Sequence, residues 1–258
     1  MTALETIGKY QLLEEIGAGG MGLVFKAKDT ILGRTVALKL VKSRYIESEQ
    51  HLARFKKEAL ACSRLRHPNV VTLYDFGEDG SSIYYAMEFI DAPTLEQRLS
   101  NSGALSISRL QSLAVQLAKA MEAIHRAGMV HRDIKPSNIL IDEQGHLSLM
   151  DFGLVKAHGG SKLTKEGKAI GTPRYMSPEM FRGEDVDERS DIFQFGLVLY
   201  EASCNRRAFP GKDVYTIAAA ILNARVKAPS IFEKAIPPSF EQIILNCLGK
   251  AREERYPR

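Results

Sequence analysis

The sequence predicts an α+β chain in two parts, β-rich to about residue 88 and mainly helical after it. Three observations carry this. Before residue 90, short runs rich in β-branched and aromatic residues recur between glycine-bearing turns, as in Leu23-Val24-Phe25, Thr35–Val41 and Ile83–Phe89. After residue 94, apolar residues recur every three or four positions, most clearly at Ile107, Leu110, Ala114, Leu117, Met121 and Ile124. Between the helical stretches, residues 151–179 form a long, polar, glycine-containing loop, of the sort that is usually functional inside a folded domain.

Composition sets the frame for these elements. The chain has 258 residues, 45% apolar and 26% charged, which is ordinary globular usage with enough apolar material for a sizeable core. A net charge of +4, with Lys and Arg spread along the chain, describes a solvated surface rather than a nucleic-acid face. Cys62, Cys204 and Cys247 share no ligand spacing and cannot all pair, so free thiols in a reducing compartment are expected. No apolar run approaches bilayer length, and Met1-Thr2-Ala3-Leu4-Glu5 does not open a signal peptide. The expectation is a cytoplasmic segment without membrane contact of its own, although a longer parent could be membrane-anchored. There is no internal repeat and no low-complexity tract.

Tyr10 to Ile16 reads as a strand entering Gly17-Ala18-Gly19-Gly20-Met21-Gly22, and Leu23 to Ala27 as the strand returning. A G-x-G-x-x-G of the dinucleotide-binding type opens a helix, whereas the residues after Gly22 favour a strand. A strand–glycine–strand hairpin can lie over a triphosphate and offer it backbone N–H groups. Thr35–Val41 is a third strand, apolar except for Lys39, which either snorkels at an edge or serves a function. Gln50 to Leu65 is helical, with Leu52, Phe55, Ala59, Cys62 and Leu65 on one stripe and Glu58 beside it. His67-Pro68-Asn69 ends that helix, and Val70–Phe76 and Ile83–Phe89 read as two strands around the turn at Gly77–Gly80.

Leu95–Leu99 is a short helix and Ile107–Ala127 a long one, stopped at Gly128. His131-Arg132-Asp133 follows, with Asn138 five residues after Asp133, and then Asp151-Phe152-Gly153. A carboxylate and a carboxamide at that spacing can face one cavity, one as base and one as metal ligand, while Asp151 supplies a second metal contact. This suits transfer of a phosphoryl group from a magnesium-bound nucleotide to a hydroxyl. Ile139–Ile141 and His146–Met150 form the hairpin that delivers Asp151. Asp191–Ser203 is apolar nearly all round, which marks a buried helix. Further helical stretches lie near Val214–Leu222 and Phe240–Leu248.

The chain resembles the protein kinases, whose catalytic and magnesium loops read H-R-D-x-x-x-x-N and D-F-G. Val36-Ala37-Leu38-Lys39 resembles their V-A-I-K, and Gly171-Thr172-Pro173-Arg174-Tyr175-Met176-Ser177-Pro178-Glu179 resembles their substrate-docking segment, with Ser177 in place of the usual Ala of A-P-E. Lys135, two after Asp133, matches the Ser/Thr kinases, most closely the eukaryotic-like enzymes of bacteria.

The resemblance implies a two-lobed kinase fold over residues 1–258, with an N-lobe at 1–88, a hinge at 88–94 and a C-lobe at 95–258. The family's final helix would lie beyond Arg258, leaving apolar surface uncovered around Phe240, Ile243, Ile244 and Leu248. It makes Asp133 the base, Lys135 a charge neutraliser, and Asn138 and Asp151 the magnesium ligands. Lys39 would contact the phosphates and pair with a glutamate. Glu58 is the choice, because Glu47 and Glu49 sit near the helix start, where they merely complement the macrodipole. Gly17, Gly19 and Gly22 would cover the phosphates, and Ile16, Val24, Ala37, Met87, Glu88, Ile90 and Leu140 would receive the nucleotide. For Met87 the letters alone fit an apolar strand end equally well. Asp191 would hold the catalytic-loop backbone, and Arg255 would pair with Glu179.

The expected reaction is transfer of the γ-phosphoryl group of ATP, with Mg2+ or in its place Mn2+, to Ser/Thr hydroxyls of protein substrates. Autophosphorylation, by a homodimer if in trans, would fall on Thr164, with Ser161 as its nearest competitor, and the phosphate would pair with Arg132. Thr172 is expected to stay unmodified, its hydroxyl contacting Asp133 and Lys135. Two rival readings are a catalytically silent scaffold and a small-molecule kinase. The complete set of catalytic positions weighs against the first, and the docking segment against the second.

Overall fold

The alternation of apolar and polar residues before residue 90 builds one antiparallel sheet of six strands: β1 Thr6–Ile7, β2 Tyr10–Gly19, β3 Gly22–Asp29, β4 Thr35–Val41, β5 Leu73–Asp79 and β6 Ser82–Glu88. They lie in the order β1-β2-β3-β4-β6-β5. This computed structural model describes residues 5–19, 22–41, 49–80, 82–151 and 173–257, apart from the side chains of Glu49, His51, Arg54 and Phe55. Two compact units divide after Asp91.

In the first unit each strand points alternate residues to opposite faces, and the two faces differ in kind. One face carries the core cluster of Tyr10, Leu12, Ala27, Val36, Leu38, Tyr84 and Ala86. The other carries cross-strand rows that place Val24 opposite Lys39 and Lys39 opposite Tyr85, with Lys26, Ala37 and Met87 in the next row. Helix α1, Glu49–Arg64, packs on β5 and buries Ala59 and Cys62 from the stripe read in the sequence. The strand pair expected at Val70–Phe76 and Ile83–Phe89 is shifted to Leu73–Asp79 and Ser82–Glu88, so strand continues through Gly77. Gly77 has no room for a side chain, since a Cβ there would lie 2.4 Å from the Tyr84 hydroxyl. It is a close-packing glycine, and the turn glycine is Gly80, with φ +57°.

The second unit is helical apart from a small hairpin. Its elements are α2 Leu95–Ser102, α3 Ile107–Arg126, β7 Ile139–Ile141, β8 Leu147–Leu149, α4 Pro178–Arg182, α5 Glu188–Cys204, α6 Val214–Asn223 and α7 Pro238–Cys247. Helix α2 starts on a capping box in which Thr94 and Gln97 satisfy each other's backbone N–H groups. Helix α5 is buried from Ser190 to Cys204, in keeping with a sequence that is apolar nearly all round, and packs on α3 and α7. Two polar side chains fasten the β7–β8 hairpin. Gln116 of α3 bonds both Gly145 and Leu147, and Arg98 of α2 donates to the carbonyls of Ile141 and Asp142. The expected apolar exposure near α7 is found in part, as an open groove lined by Ile243 and Cys247 with Val115, Phe195 and Tyr256. Phe240, Ile244 and Leu248 are buried against neighbouring elements and only Ile243 of the four is exposed, at 39%. No helix among the described residues is long and apolar enough to cross a membrane.

Candidate catalytic and nucleotide-binding site

In the second unit the catalytic-loop residues converge through their own chemistry. Asp133 is 4% exposed, and both Lys135 Nζ and Asn138 Nδ2 reach its Oδ2, each at 3.1 Å. Asn138 Nδ2 also donates to the Asp133 carbonyl at 2.8 Å, which commits the amide nitrogen and makes the carboxamide oxygen the atom able to meet a cation. A short 3-10 turn, Pro136–Asn138, aims this side chain; Pro136 costs the first position of such a turn no hydrogen bond.

The loop is held from behind by a buried carboxylate and a buried imidazole. Asp191 on α5 accepts the N–H groups of His131 and Arg132, each at 2.8 Å, and the Nε2–H of His125 at 2.9 Å. Burial pushes the His131 ring below its ordinary pKa, against the pull of nearby carboxylates, so it is neutral. Its Nε2 lies 3.2 Å from the Met150 carbonyl, which can only accept, and its Nδ1 accepts Asp133 N–H at 3.3 Å. That pair of partners selects the Nε2–H tautomer. The same ring thereby ties the residue before Asp151 to Asp133, and Met150 N–H donates to the Asn138 carbonyl at 2.9 Å. Met150, the residue before Asp151, is thus tied to the loop of Asn138 through both its carbonyl and its N–H. Left-handed backbone occurs at Arg132, with φ 66°, and at Asp151, with φ 59°. Non-glycine residues hold that conformation only where the surroundings impose it, at a cost on the order of 1–3 kcal/mol each.

The oxygen donors fit magnesium. Among the described residues no three His, Cys, Asp or Glu side chains converge on one point, so there is no closed all-protein cage. Magnesium is usually held by one or two protein oxygens together with substrate phosphates, and Asn138 and Asp151 supply donors of that type.

In the first unit Lys39 lies on a central strand, paired on both sides, so it is not an edge lysine. Its Nζ stands 5.7 Å from the Tyr85 ring, and Glu58 is half-buried on α1. Gly22 cannot carry a side chain, because a Cβ would lie 1.8 Å from the Leu40 carbonyl oxygen; at Gly17 a Cβ would make an ordinary 3.8 Å contact. Ile16 is exposed, Val24 half-buried, and Ala37 and Met87 buried as register partners. Glu88 turns its side chain back to accept Thr72 N–H, and Phe89 stacks under Lys26 Nζ at 4.7 Å, while Ile90 is half-buried. Leu140 lies in β7, buried.

Phe152, Gly153, Ser161, Thr164, Gly171, Thr172 and Gly20-Met21 lie outside the described residues. The docking segment resumes at Pro173. Tyr175 donates to Glu201 at 2.5 Å, Arg207 reaches both of them, and Arg174 donates to the Gly211 carbonyl. Glu179 is gripped by Arg255 in a two-pronged pair at 2.8 and 2.9 Å. Ser177, where Ala is usual, is fully buried with a hydroxyl that meets no hydrogen-bond partner among the described residues. An unpaired buried hydroxyl costs about 1–3 kcal/mol. Ser177→Ala should therefore leave unfolding stability unchanged or raise it by about 1 kcal/mol in a urea titration, and a clear loss would mean the hydroxyl is bonded.

The residues missed from sequence are His125, Gln194, Glu201 and Arg207. Gln194 and Glu201 carried a readable signal, since a polar side chain inside a helix buried all round must find a partner.

The family profile described as "Protein kinase domain" matches residues 10–257. The chain is 38% identical over 248 residues to a probable serine/threonine-protein kinase of Clostridium acetobutylicum, which covers 96% of this chain and 38% of the relative. Against the serine/threonine-protein kinase PrkC of Bacillus subtilis it is 36% identical over 249 residues, with the same two coverages. The chain thus spans well under half the length of these two relatives. It covers 62% of PknL of Mycobacterium tuberculosis, at 36% identity. Among solved structures, the PknI kinase domain of Mycobacterium tuberculosis superposes with a TM-score of 0.79 at 20% identity, over 100% of this chain and 94% of that one, and so shares the fold. Fold, loop geometry and family profile agree, and the chain belongs to the protein kinase domain family.

Proposed function

We propose that residues 1–258 form one catalytic domain that transfers the γ-phosphoryl group of ATP to Ser/Thr hydroxyls of protein substrates. The observation that carries this reading is the cluster of Asp133, Lys135 and Asn138, held from behind by His131 and Asp191. Asp133 orients the acceptor hydroxyl and takes its proton as the oxygen attacks. The Lys135 ammonium lies beside that carboxylate and neutralises charge on the migrating group. Magnesium, held by Asn138 and Asp151, would offset the charge of the phosphates. Lys39 with Glu58 would position the phosphates beneath the loop of Gly17, Gly19 and Gly22, and Ile16, Val24, Ala37 and Met87 would line the adenine side.

Mass spectrometry of the protein after incubation with Mg-ATP, with peptide and metabolite acceptors compared, tests the proposal. Phosphate on Ser or Thr of protein or peptide is expected. No transfer at all would leave a catalytically silent scaffold, and transfer to metabolites alone a small-molecule kinase.

Regulation is proposed at Thr164, outside the described residues, flanked by Lys162, Lys165 and Lys168. A phosphate of roughly −1.5 to −2 charges can pair with the Arg132 guanidinium beside Asp133. Thr164→Ala should lower activity several-fold, and Arg132→Ala should remove the benefit of phosphorylation. Equal peptide rates for phosphorylated and unphosphorylated protein would exclude the switch.

A further inference from the structure

Helix α5 carries Gln194 three residues after Asp191, 1% exposed in the middle of the helix's buried run. Its carboxamide is spent on backbone groups of two separate segments. The oxygen accepts Ile134 N–H at 2.9 Å. The nitrogen donates to the Arg132 carbonyl at 3.2 Å and to the Tyr175 carbonyl at 2.9 Å. A primary amide has two N–H donors, so both protons are committed, and Met180 Sδ at 3.8 Å is a weak third neighbour. Arg132 and Ile134 are the residues on either side of Asp133. Tyr175 belongs to the docking segment.

Asp191 does not duplicate this connection. Among the described residues its hydrogen bonds are with the N–H groups of His131 and Arg132 and with His125 of α3, none of them in the docking segment. Arg132 takes its left-handed φ with its N–H held by Asp191 and its carbonyl held by Gln194. Tyr175 is likewise held at both ends, its carbonyl by Gln194 and its hydroxyl by Glu201 and Arg207.

We propose that Gln194 is a positioning residue that sets the register between the docking segment at Tyr175 and the catalytic loop at Asp133, so that a protein substrate presents its hydroxyl to the Asp133 carboxylate. This rests on the protein-kinase reading above. Gln194 is buried and its amide is bonded to backbone, which leaves it no surface to offer a substrate or nucleotide. It acts by fixing two backbone segments against each other, and displacements on the order of 1 Å at a reacting centre cost up to about a hundredfold in rate.

The test compares wild type with Gln194→Met, which keeps side-chain length and removes the amide, in steady-state assays with a Ser/Thr peptide and Mg-ATP. The expected result is a peptide kcat lowered about tenfold and a peptide KM raised several-fold, with the KM for ATP within about twofold of wild type. A residue that merely supports the fold would lower the melting temperature and the active fraction without separating the two KM values, and that result overturns the proposal. So does a folded variant with unchanged peptide kcat and KM. A wild-type protein that phosphorylates no peptide refutes the kinase reading itself, which keeps the two failures distinct. If Gln194→Met does not fold, Gln194→Ser, too short to reach Tyr175, takes its place. If neither folds, amide exchange on the wild-type chain decides. Residues 130–135 and 173–178 must then open together, and independent exchange of the two segments overturns the proposal.

Discussion

Asp133→Ala is expected to lower peptide phosphorylation by about 10²- to 10⁴-fold while ATP still binds, because general-base catalysis contributes an amount of that order and the base is not a nucleotide contact. Lys135 and Asn138 both reach the Asp133 Oδ2, so the truncation also leaves an ammonium and an amide without that acceptor. Residual activity should accordingly fall short of what loss of the base alone would leave. Asp151→Ala should differ in kind and lose magnesium-dependent ATP binding together with turnover. Titrating a fluorescent ATP analogue with and without Mg2+ separates the two variants. Near-normal phosphorylation by either one, or loss of nucleotide binding in Asp133→Ala, would overturn the assignment of roles.

Much of this was legible in the sequence because its chemistry is written in short spacings. The separation of Asp133 from Asn138, the glycine hairpin before Leu23, and the helical stripes of α1 and α3 each depend on local periodicity or on a few neighbouring letters. Long-range constraints left no such trace. Gly22 reads as one more glycine of a phosphate loop, yet the Leu40 carbonyl across the sheet already forbids a side chain there. Gly77 reads as a turn and is instead a strand residue under Tyr84. Exposure near α7 is legible only in part for the same reason: apolar letters show a helix has a buried face, but that Phe240, Ile244 and Leu248 are covered while Ile243 is not depends on tertiary packing. The bracing of the catalytic loop was half visible. Asp191 came from the family pattern, while His125 and Gln194 bond partners 66 and about 60 residues away. Strand β1, two residues long, lies below what alternation can signal.

The largest stability effect is expected at Arg255. Its guanidinium is fully buried, pairs with both Glu179 oxygens, donates to the carbonyls of Arg189, Gly249 and Lys250, and lies 4.9 Å from the Phe193 ring. Arg255→Ala strips the cation from a carboxylate that stays buried. Removing one partner of such a pair costs about 3–5 kcal/mol, a large share of the 5–15 kcal/mol that typically holds a domain. Arg255→Lys should recover only part of it, since one ammonium cannot reproduce the fork. Acid should narrow the difference in a defined direction. Burial alone would raise the Glu179 carboxyl, but hydrogen bonds from Arg255 and Ser190 outweigh it and hold the group at about 2, against an ordinary 4.5. A depressed folded-state value stabilises fully above pH 4.5 and is lost as pH falls from there toward 2. By pH 4 roughly 1 kcal/mol of the wild-type advantage over Glu179→Gln should be gone, where the wild-type carboxylate is still ionised in the fold but its unfolded counterpart is mostly protonated. Urea unfolding of wild type, Arg255→Ala and Glu179→Gln at pH 7 and pH 4 measures both effects. Equal stabilities at pH 7, or a Glu179→Gln gap that fails to shrink on acidification, would mean that this pair does not anchor the end of the docking segment.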